Sequence, residues 1–515
     1  MRMNPGLGLA AIMLGASVGQ AQQPLRDRIR QFRQRNEVSI VKELAGLLAL
    51  RNVADNIADI RTNAQRLVAM MEQRGLTARI LEADGVPPAV YGELRTPGAT
   101  KTVVFYAHYD GQPIDSSKWA ASPWKPVLRS GPLGPGVAEL TLDPSSGRFD
   151  PEARIFARSA SDDKSPIVAM LWAIDALKAT GTPLSVNLKF FLEGEEEAGS
   201  AHLRTILTKY RDLLAADFWL FGDGPIHQTR AAQAVFGVRG VIGADLTIYG
   251  AIRPLHSGHY GNWAPNPNAM MVHLLASMRD TEGRITIPGY YDDVAPLSAA
   301  ERAAFRSMPA VEGQLVGELE LGRTEGAPAT LAEQLALPAL NLSGLSGGRA
   351  SGGGANVIVP ASNAYLDFRL VPDQTPAKVE ALVEGHLERQ GFHVVRTEPD
   401  SATRRAYPKI ARVVWSGGYA AARTGLDSPG ARAMLAAADE ILGHPIIRVP
   451  TLGGSLPLAD FVDVLGVRFA ILPIVNHDNN QHGENENLRL QNLWDGIELY
   501  GGVLARMGQQ WGAVP

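Results

Sequence analysis

The sequence predicts an α/β protein: a mostly parallel sheet with helices on both faces, interrupted by an inserted α+β domain. Three apolar runs carry that reading, Thr102-Val103-Val104-Phe105-Tyr106, Leu188-Lys189-Phe190-Phe191-Leu192 and Phe218-Trp219-Leu220-Phe221. Each has the length and the β-branched or aromatic content of a buried strand. Helical spacing lies between them, from Pro166 to Ala179 and from His202 to Leu214, and strands alternating with helices build parallel sheets. At 515 residues the chain is also too long for one ordinary domain.

Taken in order, the chain starts with Arg2, an apolar run from Leu7 to Val18, and Gly19-Gln20-Ala21 before polar residues. This predicts a secretory signal peptide, residues 1–21, and an exported protein, periplasmic or secreted. No later segment has the roughly 18 uninterrupted apolar residues of a membrane span. Helical spacing runs from Asn36 to Arg74 through Val38, Ile40, Val41, Leu44, Ile57, Ile60, Leu67, Met70 and Met71. Short strands are expected at 78–81 and 89–92, and the Pro-, Gly- and Ser-rich stretch 116–150 reads as a long surface loop.

Around Arg239 the texture changes. Residues 243–250 and 364–370 alternate as half-exposed strands do, and 267–278 and 376–389 are helical, the latter with Pro376 suited to a first turn. Phe392-His393-Val394-Val395 adds a strand, and a helix returns at 430–442. The expected organisation is therefore a first part over 22–238, an insertion over 239–408, and a return over 409–515.

Lys and Arg number 49 against 53 for Asp and Glu, a formal net charge of −4. That balance gives no electrostatic reason for a nucleic-acid or anionic-membrane partner. The absence of cysteine rules out disulfides and thiolate metal ligands.

Five separated positions then read together as a two-metal hydrolase: His108, Asp162, Glu197, Asp223 and His482. Imidazole nitrogen and carboxylate oxygen suit a hydrolytic pair of zinc, manganese or cobalt ions. Three of them, His108, Glu197 and Asp223, follow predicted strands, and ligands collect beyond the carboxyl ends of strands in open α/β sheets. Asp110, two residues after His108, can hold the imidazole's second nitrogen, although His-Tyr-Asp-Gly taken alone reads rather as an ordinary surface turn. Asp162-Asp163 before a helix also reads as an N-terminal cap. Glu195-Glu196-Glu197, between Gly194 and Gly199 after a buried strand, sets like charges together and calls for a cation. One of these glutamates can ligate while its neighbour takes a proton from water. Two decoys compete. Gly344-Leu345-Ser346-Gly347-Gly348 matches the serine nucleophile motif but is followed by more glycine where a helix is needed. His477 lies close enough to His482 to ligate in its place.

Together these segments resemble, in order from about Val38 to the C-terminus, the zinc-dependent aminoacylase, carnosinase and glutamate carboxypeptidase family, which includes acetylornithine deacetylase and succinyl-diaminopimelate desuccinylase. The resemblance implies a catalytic domain with an inserted lid that often dimerises, and hence a homodimer. It implies two divalent ions, most often zinc, one held by His108, Asp162 and Asp223 and the other by Asp162, Glu197 and His482. Asp162 is then the bridge, followed by a cis peptide to Asp163. Glu196 is the general base and Asp110 the partner of His108. Arg253-Pro254-Leu255-His256-Ser257-Gly258 resembles the lid segment whose histidine, here His256, polarises the scissile carbonyl. Asn356, Arg369, Gly454 and Ser455 match substrate-binding segments, with Arg369 as a fork for a carboxylate. Ala157-Arg158-Ser159, Ser165 and Thr451-Leu452 depart from the family pattern without removing a donor.

The expected activity is cleavage of an amide bond beside a free carboxylate, as a carboxypeptidase or dipeptidase acting on small peptides. An N-acyl-amino-acid deacylase would use the same site, and a non-catalytic binding module would be expected to have lost a ligand or the base.

Overall fold

The computed structural model describes residues 23–349, 355–454 and 456–512. The signal-peptide expectation and Ser455 therefore lie outside the described residues. The described residues divide into two compact units, one within 23–234, 425–448 and 463–512, the other within 235–424 and 449–462.

The first unit is built on an eight-stranded sheet. Its order is Thr77–Leu81, Ala89–Leu94, Asn187–Glu193, Thr102–His108, Phe218–Phe221, Phe469–Ile471, Gln233–Val235 and Ile447–Val449, the last two reaching the unit boundary. The first two strands are antiparallel to their neighbours, whereas Asn187–Glu193, Thr102–His108, Phe218–Phe221 and Phe469–Ile471 run parallel. Both faces of these parallel strands are covered, so Val103, Val104, Phe105, Phe190, Phe191 and Phe218 are all wholly buried.

Helices cover the sheet on both faces. Ile57–Glu72 starts at Asn56, whose side chain accepts from the Ala58 and Asp59 amides, and it buries Ile60, Ala64, Leu67, Met70 and Met71. Ile57, expected in the apolar stripe, is the exposed first residue of that helix. Lys164–Ala179 packs against both Leu25–Leu48 and Leu490–Gln510 and is buried along most of its length. Arg26, Arg30 and Arg33 on the first of these helices converge on the buried carboxylate of Glu498 on the last.

The 116–150 stretch is not structureless. Val127–Arg129 and Glu139–Leu140 form an antiparallel sheet with Arg154–Phe156 and Asn487–Arg489, and Ser116–Lys118 is one 3₁₀ turn. Strands of two or three residues are too short to show an alternating period in the sequence.

The second unit centres on a five-stranded sheet ordered Ala339–Ser346, Ala361–Leu370, Gly240–Tyr249, Ile410–Trp415 and His393–Val395. Leu366, Phe368 and Leu370 join Ile242, Leu246, Met271, Leu274, Val379 and Val383 in one core, so the helices Pro267–Met278 and Pro376–Arg389 cover one face. Tyr365, Asp367 and Arg369 alternate with those core residues and are more exposed. The strand Ile410–Trp415 pairs with Gly240–Tyr249, from Tyr249 opposite Ile410 to Ala244 opposite Trp415. That pairing, continued by Ala422–Arg423 against Gly237–Val238, keeps the chain in the second unit to Thr424, past the return at 409 expected from sequence, and 449–462 belongs to that unit as well.

Close packing of the first unit can be probed at its glycines. A Cβ on Gly508 would lie 1.9 Å from the Ser185 carbonyl oxygen, whereas Gly46 has nothing within 4 Å. Gly508→Ala should cost about 1–3 kcal/mol by overpacking, and Gly46→Ala, inside a helix, should stabilise by about 0.5–1 kcal/mol. Calorimetry on both variants checks this, and equal melting temperatures would refute the tight approach at Ser185.

Candidate metal centre

The parallel strands deliver their functional side chains to one sheet edge. Thr102–His108 ends on His108, which lies opposite Glu193 in register, and Asp223 follows two residues after Phe218–Phe221. Beyond Glu193 the chain turns through the short 3₁₀ segment Glu196–Ala198, which presents Glu196 and Glu197. Asp162 immediately precedes Asp163 and the helix Lys164–Ala179, and the Asp162–Asp163 peptide is cis. His482 comes from the loop between Phe469–Ile471 and Asn487–Arg489.

Two groups of donor atoms result: His108, Asp162 and Asp223, and Asp162, Glu197 and His482, in each case within 4.8 Å of one another. Asp162 belongs to both. One of its oxygens lies 2.8 Å from His108 Nε2, the other 3.2 Å from His482 Nε2, and His482 Nε2 is 3.3 Å from Glu197 Oε2. His108 is wholly buried, whereas the His482 side chain is 56% exposed, so the second group has one exposed member beside the buried side chains of Asp162 and Glu197. His477 joins neither group among the described residues; it lies near His227, whose pKa it helps burial to lower.

Asp110 sits behind the first group, its Oδ1 3.3 Å from His108 Nδ1. The same carboxylate accepts from the Glu196 amide at 3.1 Å and the Glu197 amide at 3.0 Å. One side chain thus orients the imidazole and fixes the turn that carries both glutamates.

The electrostatics of this cluster call for positive charge. Burial, then Asp162, pushes Glu197 up to about 7 and Asp223 up to about 6. Burial raises Glu196 well above the ordinary carboxylate range, with Asp223 and Asp162 adding to it against the pull of His108. Burial acts on Asp162 as well, but the hydrogen bonds of His108 and His482 outweigh it and hold the carboxyl low. Two imidazoles do not balance this many carboxylates. Divalent cations do, and a purely nitrogen and oxygen donor set divided into two triads around a shared carboxylate fits a pair of them.

The remaining expected site residues lie in the second unit. His256 pairs with Val357 across a short ladder, and the Ser257 amide donates to the Asn356 carbonyl at 2.8 Å, so His256 and Asn356 are neighbours. His256 Nδ1 accepts from the Gly258 amide at 3.1 Å, which leaves Nε2 to carry the proton of the neutral ring. Arg369 Nε lies 3.3 Å from Asp367 Oδ2, and the Gly454 carbonyl accepts from the Arg239 amide at 3.2 Å. Ser346 closes the strand Ala339–Ser346 and no helix follows it through Arg349, so the serine motif lacks its elbow.

Several residues around the triads were not anticipated. Gln112 donates to Glu197 Oε2 at 2.7 Å. Buried Asn52 donates to the Tyr109 carbonyl at 2.6 Å and to Ser159 Oγ at 2.9 Å, tying the His108 loop to the Asp162 loop. Arg158 pairs with Glu486 at 2.8 Å although 328 positions separate them. Arg158 stands in a segment already singled out and Glu486 four residues after His482, but nothing in the sequence connects one with the other.

The family model described as "Peptidase family M20/M25/M40" matches residues 104–506, well over half of the chain. The chain belongs to that family. It is a metallopeptidase, a hydrolase of peptide C–N bonds. Among proteins similar to this peptidase is human Beta-Ala-His dipeptidase, 25% identical over 98% of this chain and 100% of the relative. The Cys-Gly metallodipeptidase dug1 of Schizosaccharomyces pombe is 28% identical over 84% of this chain and 86% of its own. The crystal structure of an M20 family metallo-carboxypeptidase, Sso-CP2 from Sulfolobus solfataricus, superposes with a TM-score of 0.70 at 27% identity, covering 91% of this chain and 99% of that one. None of the helices among the described residues is long and apolar enough to cross a membrane.

The two histidines of the 477–482 loop can be separated by metal analysis. His482→Ala should cost one ion per chain and nearly all activity, while His477→Ala should keep the full complement. Equal losses from both would remove His482 from the second triad.

Proposed function

We propose that this peptidase is an exported, two-zinc dipeptidase or carboxypeptidase that cleaves the peptide bond beside a free carboxylate. The observation that carries this reading is Asp162 shared between two ligand triads, with Glu196 on the Asp110-held turn next to the ligand Glu197. The names of the relatives support peptide substrates over N-acyl amino acids.

When bound, a pair of divalent cations supplies Lewis acidity, lowering the pKa of a water and polarising the scissile carbonyl. His108, Asp162 and Asp223 would hold one ion; Asp162, Glu197 and His482 would hold the other. Glu196 takes the proton from the attacking water and returns it to the leaving amine, and Asp110 keeps that glutamate in place. His256, with its proton on Nε2, donates to the oxyanion. Arg369 pairs with the substrate carboxylate through its planar fork, and Asn356, Gly454 and Ser455 complete the hold on the substrate. The leader residues 1–21 account for export, and the inserted unit for assembly as a homodimer.

Hydrolysis of dipeptides, set against N-acyl amino acids and against a chelator-treated control, tests the activity directly. Glu196→Gln should retain its metal while turnover falls by about 10²–10⁴-fold, the usual worth of base catalysis. Loss of metal from Glu196→Ala together with retention in Glu197→Ala would reverse the two roles, and preference for N-acyl amino acids would replace the dipeptidase reading.

A further inference from the structure

A buried carboxylate outside both triads stands where their loops meet. Glu486 has no solvent exposure, and both of its oxygens are engaged. Oε1 accepts from the Ser161 amide at 2.8 Å and the Asp162 amide at 2.9 Å. Oε2 accepts from the Ser159 amide at 2.9 Å and from Arg158 Nη1 at 2.8 Å. The 159–162 turn therefore wraps its amides around one anion, with Ser159 in the left-handed region at φ 61°. Arg158 extends the link, since its second nitrogen donates to the carbonyl of Gly483, the residue after His482, at 3.2 Å.

One buried ion pair thus holds the amide of the shared ligand Asp162 and the carbonyl next to His482. We propose that Glu486 is a positioning residue that couples the two cation subsites, acting through the Asp162 backbone on both triads and through Arg158 on the His482 loop. It belongs to neither group of donors, so its effect reaches the ions only through residues that do. Replacing its charge leaves a guanidinium only 2% exposed without its anion and gives three amides a weaker acceptor. Asp162 then loses its fixed direction toward both subsites. The inference rests on the reading that the triads hold cations.

An ion pair of this kind could also do no more than stabilise the fold, so the test must separate affinity from stability. Cobalt(II) alone is titrated into full-length apo-protein well below its melting temperature, with visible absorption reporting the ligand field and elemental analysis the stoichiometry. Glu486→Gln should weaken both binding steps by about 10–100-fold, the range found when a ligand's supporting partner is lost. Gly508→Ala, destabilised at a distance, should bind cobalt as the wild type does. Wild-type affinity at both steps in Glu486→Gln, or loss at one step only, would overturn the proposal. If Glu486→Gln does not fold, Arg158→Lys serves instead: it keeps a cation opposite Glu486 but loses the fork to Gly483. It should weaken the binding of one ion per chain and lose that effect in a His482→Ala background; unchanged binding of both ions would overturn the coupling. A wild-type protein that takes up no cobalt would instead refute the ligand assignment itself.

Discussion

Carboxylates brought together away from water repel one another until protons or cations intervene, and that repulsion governs the functional edge of the first unit. Asp162, Glu196, Glu197 and Asp223 share the site with only two imidazoles, and burial drives three of these four carboxyls upward. Asp162 is the exception because both histidines bond to it. The carboxylate that two cations would share is therefore also the one held ionised without them. A site so arranged is costly as a structural feature and gains its stability from what it binds.

The scaffold answers this strain by fixing each donor from behind. Parallel pairing places His108 opposite Glu193 and delivers Asp223 to the same edge. Asp110 holds the imidazole and the Glu196–Glu197 turn together, Asn52 joins the His108 and Asp162 loops, and Glu486 gathers the amides that lead to Asp162. Loops carry the chemistry, yet buried side chains whose partners lie far off in sequence fix where those loops go.

Much of this was legible in the sequence because it depends on local pattern. The buried strands, their alternation with helices and the two long helices of the inserted unit follow from apolar spacing, and three of the five donors, His108, Glu197 and Asp223, follow those strands. The short strands of the 116–150 stretch left no period to read, and the pairing of Ile410–Trp415 with Gly240–Tyr249 is a long-range fact that no local pattern announces. The choice of His482 over His477 came from resemblance, since both stand in the same polar loop; in the structure only His482 points at Asp162. Glu486 escaped notice because a glutamate in a polar loop reads as solvated, whereas here backbone amides surround it.

The central claim is that Asp162 bridges two cations. Anomalous diffraction at the zinc edge from crystals of the metal-loaded protein tests it most directly. Two peaks roughly 3.5–4 Å apart, as in other two-metal sites, with one Asp162 oxygen directed at each, is the result this account predicts. A single peak, or two peaks with Asp162 turned toward only one of them, would contradict it.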